Sequence, residues 1–198
     1  MECAETIWDH QGACAAPFGG LQVASVDILR GCHENWTYTL GASDFVPNNP
    51  DCPLIVYAQA VPIGGPDPAV AFEELFGANG WPPGWRNGVL AFHHFHSTSH
   101  EVLGIYSGEV RVCFGGDGGP QITLVPGDVI VVPAGVAHER IASRGQLGIV
   151  GAYPQAHNRD LCEADVDPCH FHGQRVRQVS KPQFDPVRGA QGGLVQHW

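Results

Sequence analysis

From Gly88 onward the apolar residues come in short runs: EVLGIYSG, EVRVCFGG, QITLVPGD, VIVVPAG and QLGIVGAY, separated by Gly, Pro and Asp turns. In EVRVCF, Val110, Val112 and Phe114 fall on one face and Arg111 and Cys113 on the other, a period of two. Several short strands at this spacing predict an all-β antiparallel sandwich or barrel, with its core over about residues 88–153. Upstream, LIVYAQAV at 54–61 is bounded by proline on both sides and reads as a strand. GGPDPAVAFEELFGANG predicts one short helix before the barrel. Asp67 is its N-cap, Pro68 its first helical residue, Phe72, Leu75 and Phe76 its apolar face, and Gly77 or Gly80 its stop. WPPGWRNG, with two prolines and two glycines, is expected to be irregular. Residues 1–45 carry no sustained period and are expected as an irregular N-terminal arm with one short strand at LQVASVDIL, leaving 46–198 as a single domain. After Ala156 the chain is polar and turn-rich, an irregular C-terminal arm that Leu194, Val195 and Trp198 would tack onto the barrel. No internal repeat is present, so one barrel is expected and not a tandem pair.

Composition narrows the function. The net charge of −10, with only ten Lys and Arg spread thinly, disfavours nucleic acid, whose phosphates need clustered cations. No run of eighteen apolar residues and no basic start followed by an apolar stretch is found, so neither a membrane nor export is expected and the cytoplasm is the default. Seven cysteines at irregular spacing are then expected as thiols. CEADVDPCHFH, from Cys162 to His172, gathers Cys169, His170 and His172. It lacks a Cys-x-x-Cys pair and reads as a polar surface loop in preference to a zinc site.

The chemistry concentrates in GVLAFHHFHSTSHEVLGIYSG, which holds four of the chain's 11 histidines in eight residues and then a glutamate. On a strand over 90–96, His94 and His96 share a face. Glu101 opens the next strand and can add a carboxylate oxygen, and His138, after GDVIVVPAGVA, can bring a further ligand from another strand. Three imidazoles and one carboxylate suit Fe, Mn, Zn, Ni or Co and do not suit Ca or Mg. His93 is out of phase and expected outside the barrel. His100 is a candidate fifth ligand, acid/base group or turn-holding residue; Tyr106 and the Trp85-Arg86 pair are candidates for the pocket border.

The spacing Gly88-x5-His94-x-His96-x4-Glu101-x6-Gly108 resembles the first signature of the cupin superfamily, and Gly127-x5-Pro133-x-Gly135-x2-His138 the second. The second departs at its end, where the usual Asn is Ala142. NGWPPGWRNG, HSTSHEVLGIYSG, GDVIVVPAGVAH, VGAYP and DPVRGAQGGLVQHW extend the likeness to small single-domain cupins of the YjlB-like group, over roughly residues 45–198. The resemblance implies a jelly-roll barrel holding one divalent transition metal on His94, His96, Glu101 and His138, and by analogy a homodimer. It names no reaction. Four protein ligands on a six-coordinate ion leave two positions, which a small carboxylate, hydroxy acid or keto/enol metabolite would fill. An oxygenase, lyase, decarboxylase or isomerase is therefore expected, with Glu101 and His100 as candidate catalytic groups. The alternative is a small-molecule-binding or sensing protein with a structural metal. No segment of the sequence stands ready to transmit a signal, which favours the enzyme.

Overall fold

The computed structural model describes residues 35–43, 45–154, 159–164 and 169–198, with only the backbone of 169–171. Nine strands form one sheet. They are β1 (Asn35–Leu40), β2 (Asn49–Tyr57), β3 (Pro83–Asn87), β4 (His94–Phe95), β5 (Glu101–Phe114), β6 (Gln121–Leu124), β7 (Val129–Val132), β8 (His138–Ala152) and β9 (Cys162–Glu163). The hydrogen-bonded path runs β1-β2-β7-β5-β8-β4-β9, with β3 on β8 and β6 on β5, and it does not close on itself. Every pairing is antiparallel.

Strand alternation divides the core in two. Leu54 and Val56 of β2, Leu103, Ile105, Val110, Val112 and Phe114 of β5 and Ile130 and Val132 of β7 fill the inner face. Their sequence neighbours Ile55, Tyr57, Val102, Val129 and Val131 form the outer face with Phe72 and Phe76 of helix α1 (Ala69–Ala78) and Leu194 of α3 (Gly193–His197). Strands buried on both faces lose the simple apolar/polar pattern and read as continuous apolar runs. VIVV of β7, wholly buried, is the clearest case.

The longest pairing is that of β5 with β8, from Val102 opposite Ala152 to Phe114 opposite His138. Its register shifts between Ile105 and Ser107, between Ser107 and Glu109 and between Arg111 and Val112. Both strands are exposed in the middle and buried at the ends. Glu101 and His138 stand at opposite ends of this ribbon, yet their side chains meet at 3.4 Å. The ribbon is bent double at its irregular middle, where extra residues increase bend and twist. Gly108 sits at that bend with φ +70° and its backbone against Gln146, where a Cβ would meet Gln146 O at 2.8 Å.

Several expectations need correction. Asn35–Leu40, within the expected irregular arm, form β1 and pair with β2. WPPGWRNG is not irregular throughout: Pro83–Asn87 forms β3, paired with Val150–Ala152 and Ile149 of β8. Proline is tolerated there because it occupies the first position of the strand, whose far side has no further strand among the described residues. The C-terminal arm contains α2 (Cys169–Gln178) and α3. It is tied down by Leu194 and by Trp198, whose Nε1 donates to the Pro53 carbonyl at 2.8 Å, whereas Val195, expected to join them, is exposed on α3. Helix α1 begins one residue later than expected, with Pro68 as N-cap. Asp67 still accepts the Ala69 N–H at 3.2 Å. The strand expected at LQVASVDIL lies outside the described residues.

Candidate metal centre

His94, His96, Glu101 and His138 come from β4, the turn after it and the first residues of β5 and β8. They converge because His94 is cross-strand partner of His138 and because the β5–β8 ribbon brings its two ends together. The His94 and His138 rings lie 4.1 Å apart between centroids, with His96 at 6.2 Å from His94 and 6.4 Å from His138. Glu101 Oε2 is 3.4 Å from His138 Nε2, and Oε1 is 3.7 Å from His96 Nε2. All four residues are buried.

Each imidazole is oriented by a backbone carbonyl. Nδ1 of His94 donates to the Phe92 carbonyl at 3.1 Å, Nδ1 of His138 to the Val136 carbonyl at 3.2 Å, and Nδ1 of His96 to the Asp160 carbonyl. A proton on Nδ1 leaves Nε2 with its lone pair in the neutral ring, the tautomer suited to a metal. Burial, then the neighbouring His138, pull the His94 pKa down to about 3, so this ring stays neutral near pH 7. Burial also disfavours charge on His96, but Glu101 overrides it and moves its pKa up. Burial pushes the Glu101 carboxyl up, and the His96 and His138 imidazoles hold it well below the usual carboxylate range.

Glu101 is held from behind as well. Tyr153 donates its hydroxyl proton to Oε1 at 2.5 Å and accepts from Trp85 Nε1 at 2.7 Å. Burial and the Glu101 charge raise the Tyr153 pKa far above the ordinary phenol value, so this donor keeps its proton. Oε2, facing the histidines, is buried and accepts no hydrogen bond. The residues fit a cation: three imidazole nitrogens and one carboxylate oxygen, with their other polar atoms already occupied.

Asp160 is the residue that sequence reasoning missed. Besides its carbonyl on His96, its carboxylate accepts from Ser97 N at 2.8 Å, Thr98 N at 3.2 Å, Thr98 Oγ1 at 3.0 Å and Ser97 Oγ. The turn between His96 and Glu101 is thus clamped by a residue sixty-odd positions downstream, a separation that leaves no periodic trace. Tyr153 and Trp85 went unassigned for the same reason, although Trp85 was singled out as a border candidate.

The remaining candidates lie elsewhere. His100 takes the opposite face from Glu101, the side of Val102 and the outer core. Its Nδ1 accepts the Ala134 N–H at 3.0 Å, and its ring lies 4.5 Å from that of Trp198. Strand alternation carried this signal, since neighbours on a strand point apart. His93 faces Asp117 at 3.3 Å and Glu139 at 3.2 Å. Tyr106 covers Gly148 on the outer face, and Arg86 is exposed, paired with Asp67 and Glu73. The polar-loop reading of 162–172 fails at Cys162, which is buried in β9 against Phe95 of β4. The side chains of Cys169 and His170 lie outside the described residues.

Residues 81–146 match the Cupin domain family. The uncharacterized protein YjlB of Bacillus subtilis is 33% identical over 165 residues, covering 83% of this chain and 97% of that one. Among solved structures, a DUF861 family protein from Thermotoga maritima is 22% identical with a TM-score of 0.28, covering 46% of this chain and 96% of that one. A mutant of Bacillus subtilis oxalate decarboxylase is 16% identical with a TM-score of 0.34, covering 74% and 37%. Procruciferin, an 11S globulin from Brassica napus, is 12% identical with a TM-score of 0.34, covering 61% and 29%. The match over residues 81–146 and the likeness to YjlB along most of both chains identify this protein as a cupin of the YjlB family.

Proposed function

We propose that the chain is a metal-dependent cupin enzyme acting on a small carboxylate, hydroxy acid or keto/enol metabolite at a centre formed by His94, His96, Glu101 and His138. One observation carries the reading. With each Nδ1 committed to a carbonyl, Nε2 of His96 and of His138 faces a buried carboxylate whose Oε2 accepts no hydrogen bond. A buried carboxylate oxygen without a donor is costly, and a divalent Fe, Mn, Zn, Ni or Co ion between it and the imidazoles removes that cost. Such an ion supplies Lewis-acid polarisation of a substrate oxygen, and in the case of iron also O₂ activation.

The chain's own residues then have defined tasks. His94 stays neutral because burial holds its pKa at about 3, so it offers a lone pair across the physiological range. Tyr153, fixed by Trp85, restrains one Glu101 oxygen and leaves the other for the centre. Phe114, fully buried, stacks on His138, and Phe92 meets His94 edge-on, so an apolar ring backs each imidazole. Glu101 is the candidate catalytic residue as well as a ligand, since its charge sets that of the whole centre. His100 has no task in this reading, because its Nδ1 and its ring are engaged on the outer face, away from the centre.

The test is elemental analysis of protein purified without metal-chelate resin, then a screen of carboxylates, hydroxy acids and keto acids with that metal restored, with and without O₂. His138→Ala should lose most of the metal. Glu101→Gln should lose less metal and more turnover, because shape is kept and charge removed. Full occupancy in His138→Ala would overturn the site. Metal-loaded protein that binds such acids and turns none over would make it a binding protein.

A further inference from the structure

A second group of donors stands next to this centre and shares no residue with it. Asp160, Cys162 and His172 bring one ligand atom each to within 4.8 Å of one another. Cys162 Sγ lies 3.5 Å from Asp160 Oδ2 and 3.7 Å from His172 Nδ1. Cys162 is buried, and the ring of His172 meets Phe95 edge-on at 5.4 Å. Tetrahedral zinc, with Zn–S near 2.3 Å and Zn–N or Zn–O near 2.0–2.1 Å, places its sulfur about 3.5 Å from each lighter donor. Both measured separations agree with that figure. The thiol donates to Asp160 Oδ2, and His172 Nδ1 meets the same sulfur.

We infer that Asp160, Cys162 and His172 form a second cation site, for zinc or another thiophilic divalent ion. Binding releases the Cys162 thiol proton to solvent, and the ion takes its place between carboxylate and imidazole. Thiolate, imidazole and carboxylate are all good zinc donors, and three of them leave the fourth position to water. The site joins β9, which pairs with β4, to α2, which carries His172. It therefore fastens the segment whose Asp160 carbonyl orients His96. Asp160 Oδ1 keeps its bonds to Ser97 N and Thr98, while Oδ2, which also accepts from Ser97 Oγ, offers its other lone pair to the ion.

Cobalt(II) titration of metal-stripped protein tests this, because only a thiolate ligand gives an intense sulfur-to-cobalt band in the near ultraviolet. The His94/His96/Glu101/His138 centre has no sulfur and gives none, so the two sites are read separately. The wild type should develop the band, with the final intensity of one thiolate-bound cobalt per chain once both sites are filled, and zinc should bleach it. Cys162→Ser should abolish it. His172→Ala, at a partly exposed helical position that leaves the buried thiol in place, should weaken cobalt binding at this site by more than about a hundredfold, beyond the roughly 10–100-fold that loss of an outer partner costs. His138→Ala should retain the band, whatever becomes of the other centre. A wild type that binds cobalt without the band, or a band that survives unchanged in Cys162→Ser or His172→Ala, overturns the assignment.

Discussion

Tyr153 shows how much of this site rests on one hydroxyl. It donates to Glu101 Oε1, accepts from Trp85 Nε1 and lies under the Arg159 guanidinium, 4.5 Å from its ring. Tyr153→Phe keeps the ring and removes the link. Glu101 then has a second buried oxygen without a donor, which costs about 1–3 kcal/mol, and Trp85 loses the acceptor of its part-buried N–H. Metal affinity should fall about 10–100-fold, the usual effect of losing an outer-shell partner, with stoichiometry kept. Calorimetric titration of Tyr153→Phe checks this, with His93→Ala as control, since His93 faces Asp117 and Glu139 and should leave binding unchanged. An unchanged affinity in Tyr153→Phe would show that Glu101 needs no such restraint. The candidate ligands were legible in the sequence because period-two alternation and fixed spacing put them together. Tyr153 and Asp160 were not, because a hydrogen bond between residues 52 or 64 positions apart imposes no local pattern.

Helix α1 docks on the sheet through Gly104 of β5. A Cβ there would lie 2.3 Å from Phe72 Cδ1 and 2.9 Å from Phe76 Cζ. Both rings are fully buried, so neither can swing clear. Gly104→Ala should therefore cost about 1–3 kcal/mol through overpacking. At about 2–4 °C per kcal/mol for a chain of this size, the melting temperature should fall by roughly 2–12 °C. Because Gly104 belongs with Val102 on the outer side, metal stoichiometry should not change. Thermal denaturation and metal analysis of the same preparation check both statements, and a loss of metal would mean that the two faces are coupled. The sequence revealed α1 through Phe72 and Phe76, but β3 was hidden by two prolines. Turn-formers argue for a break only where the chain needs the missing N–H, and on β3 the strand begins at Pro83.

Across the whole molecule, both clusters are packed without help from an ion, so metal removal should leave the fold standing. Chelator-treated protein should keep its far-ultraviolet circular dichroism. Restoring the metal at about a thousand times its dissociation constant should add about 4 kcal/mol and raise the melting temperature by roughly 8–16 °C. An unfolded apoprotein would contradict the self-sufficient core; a metal-bound protein with no rise would mean that the unfolded chain binds the ion equally well. The bent β5–β8 ribbon adds a consequence for distant residues. Glu101 and His138 sit at the tips of two arms that meet at a hinge around Ser107–Glu109, six residues from Glu101. Six extended residues make a lever of about 20 Å, so a 3° change at the hinge moves a tip by about 1 Å. That displacement is the difference between a coordinate bond and none. The geometry of the candidate centre is therefore set from the far end of the ribbon, and natural variation in metal binding among proteins of this build should be sought at the hinge as much as at the candidate ligands.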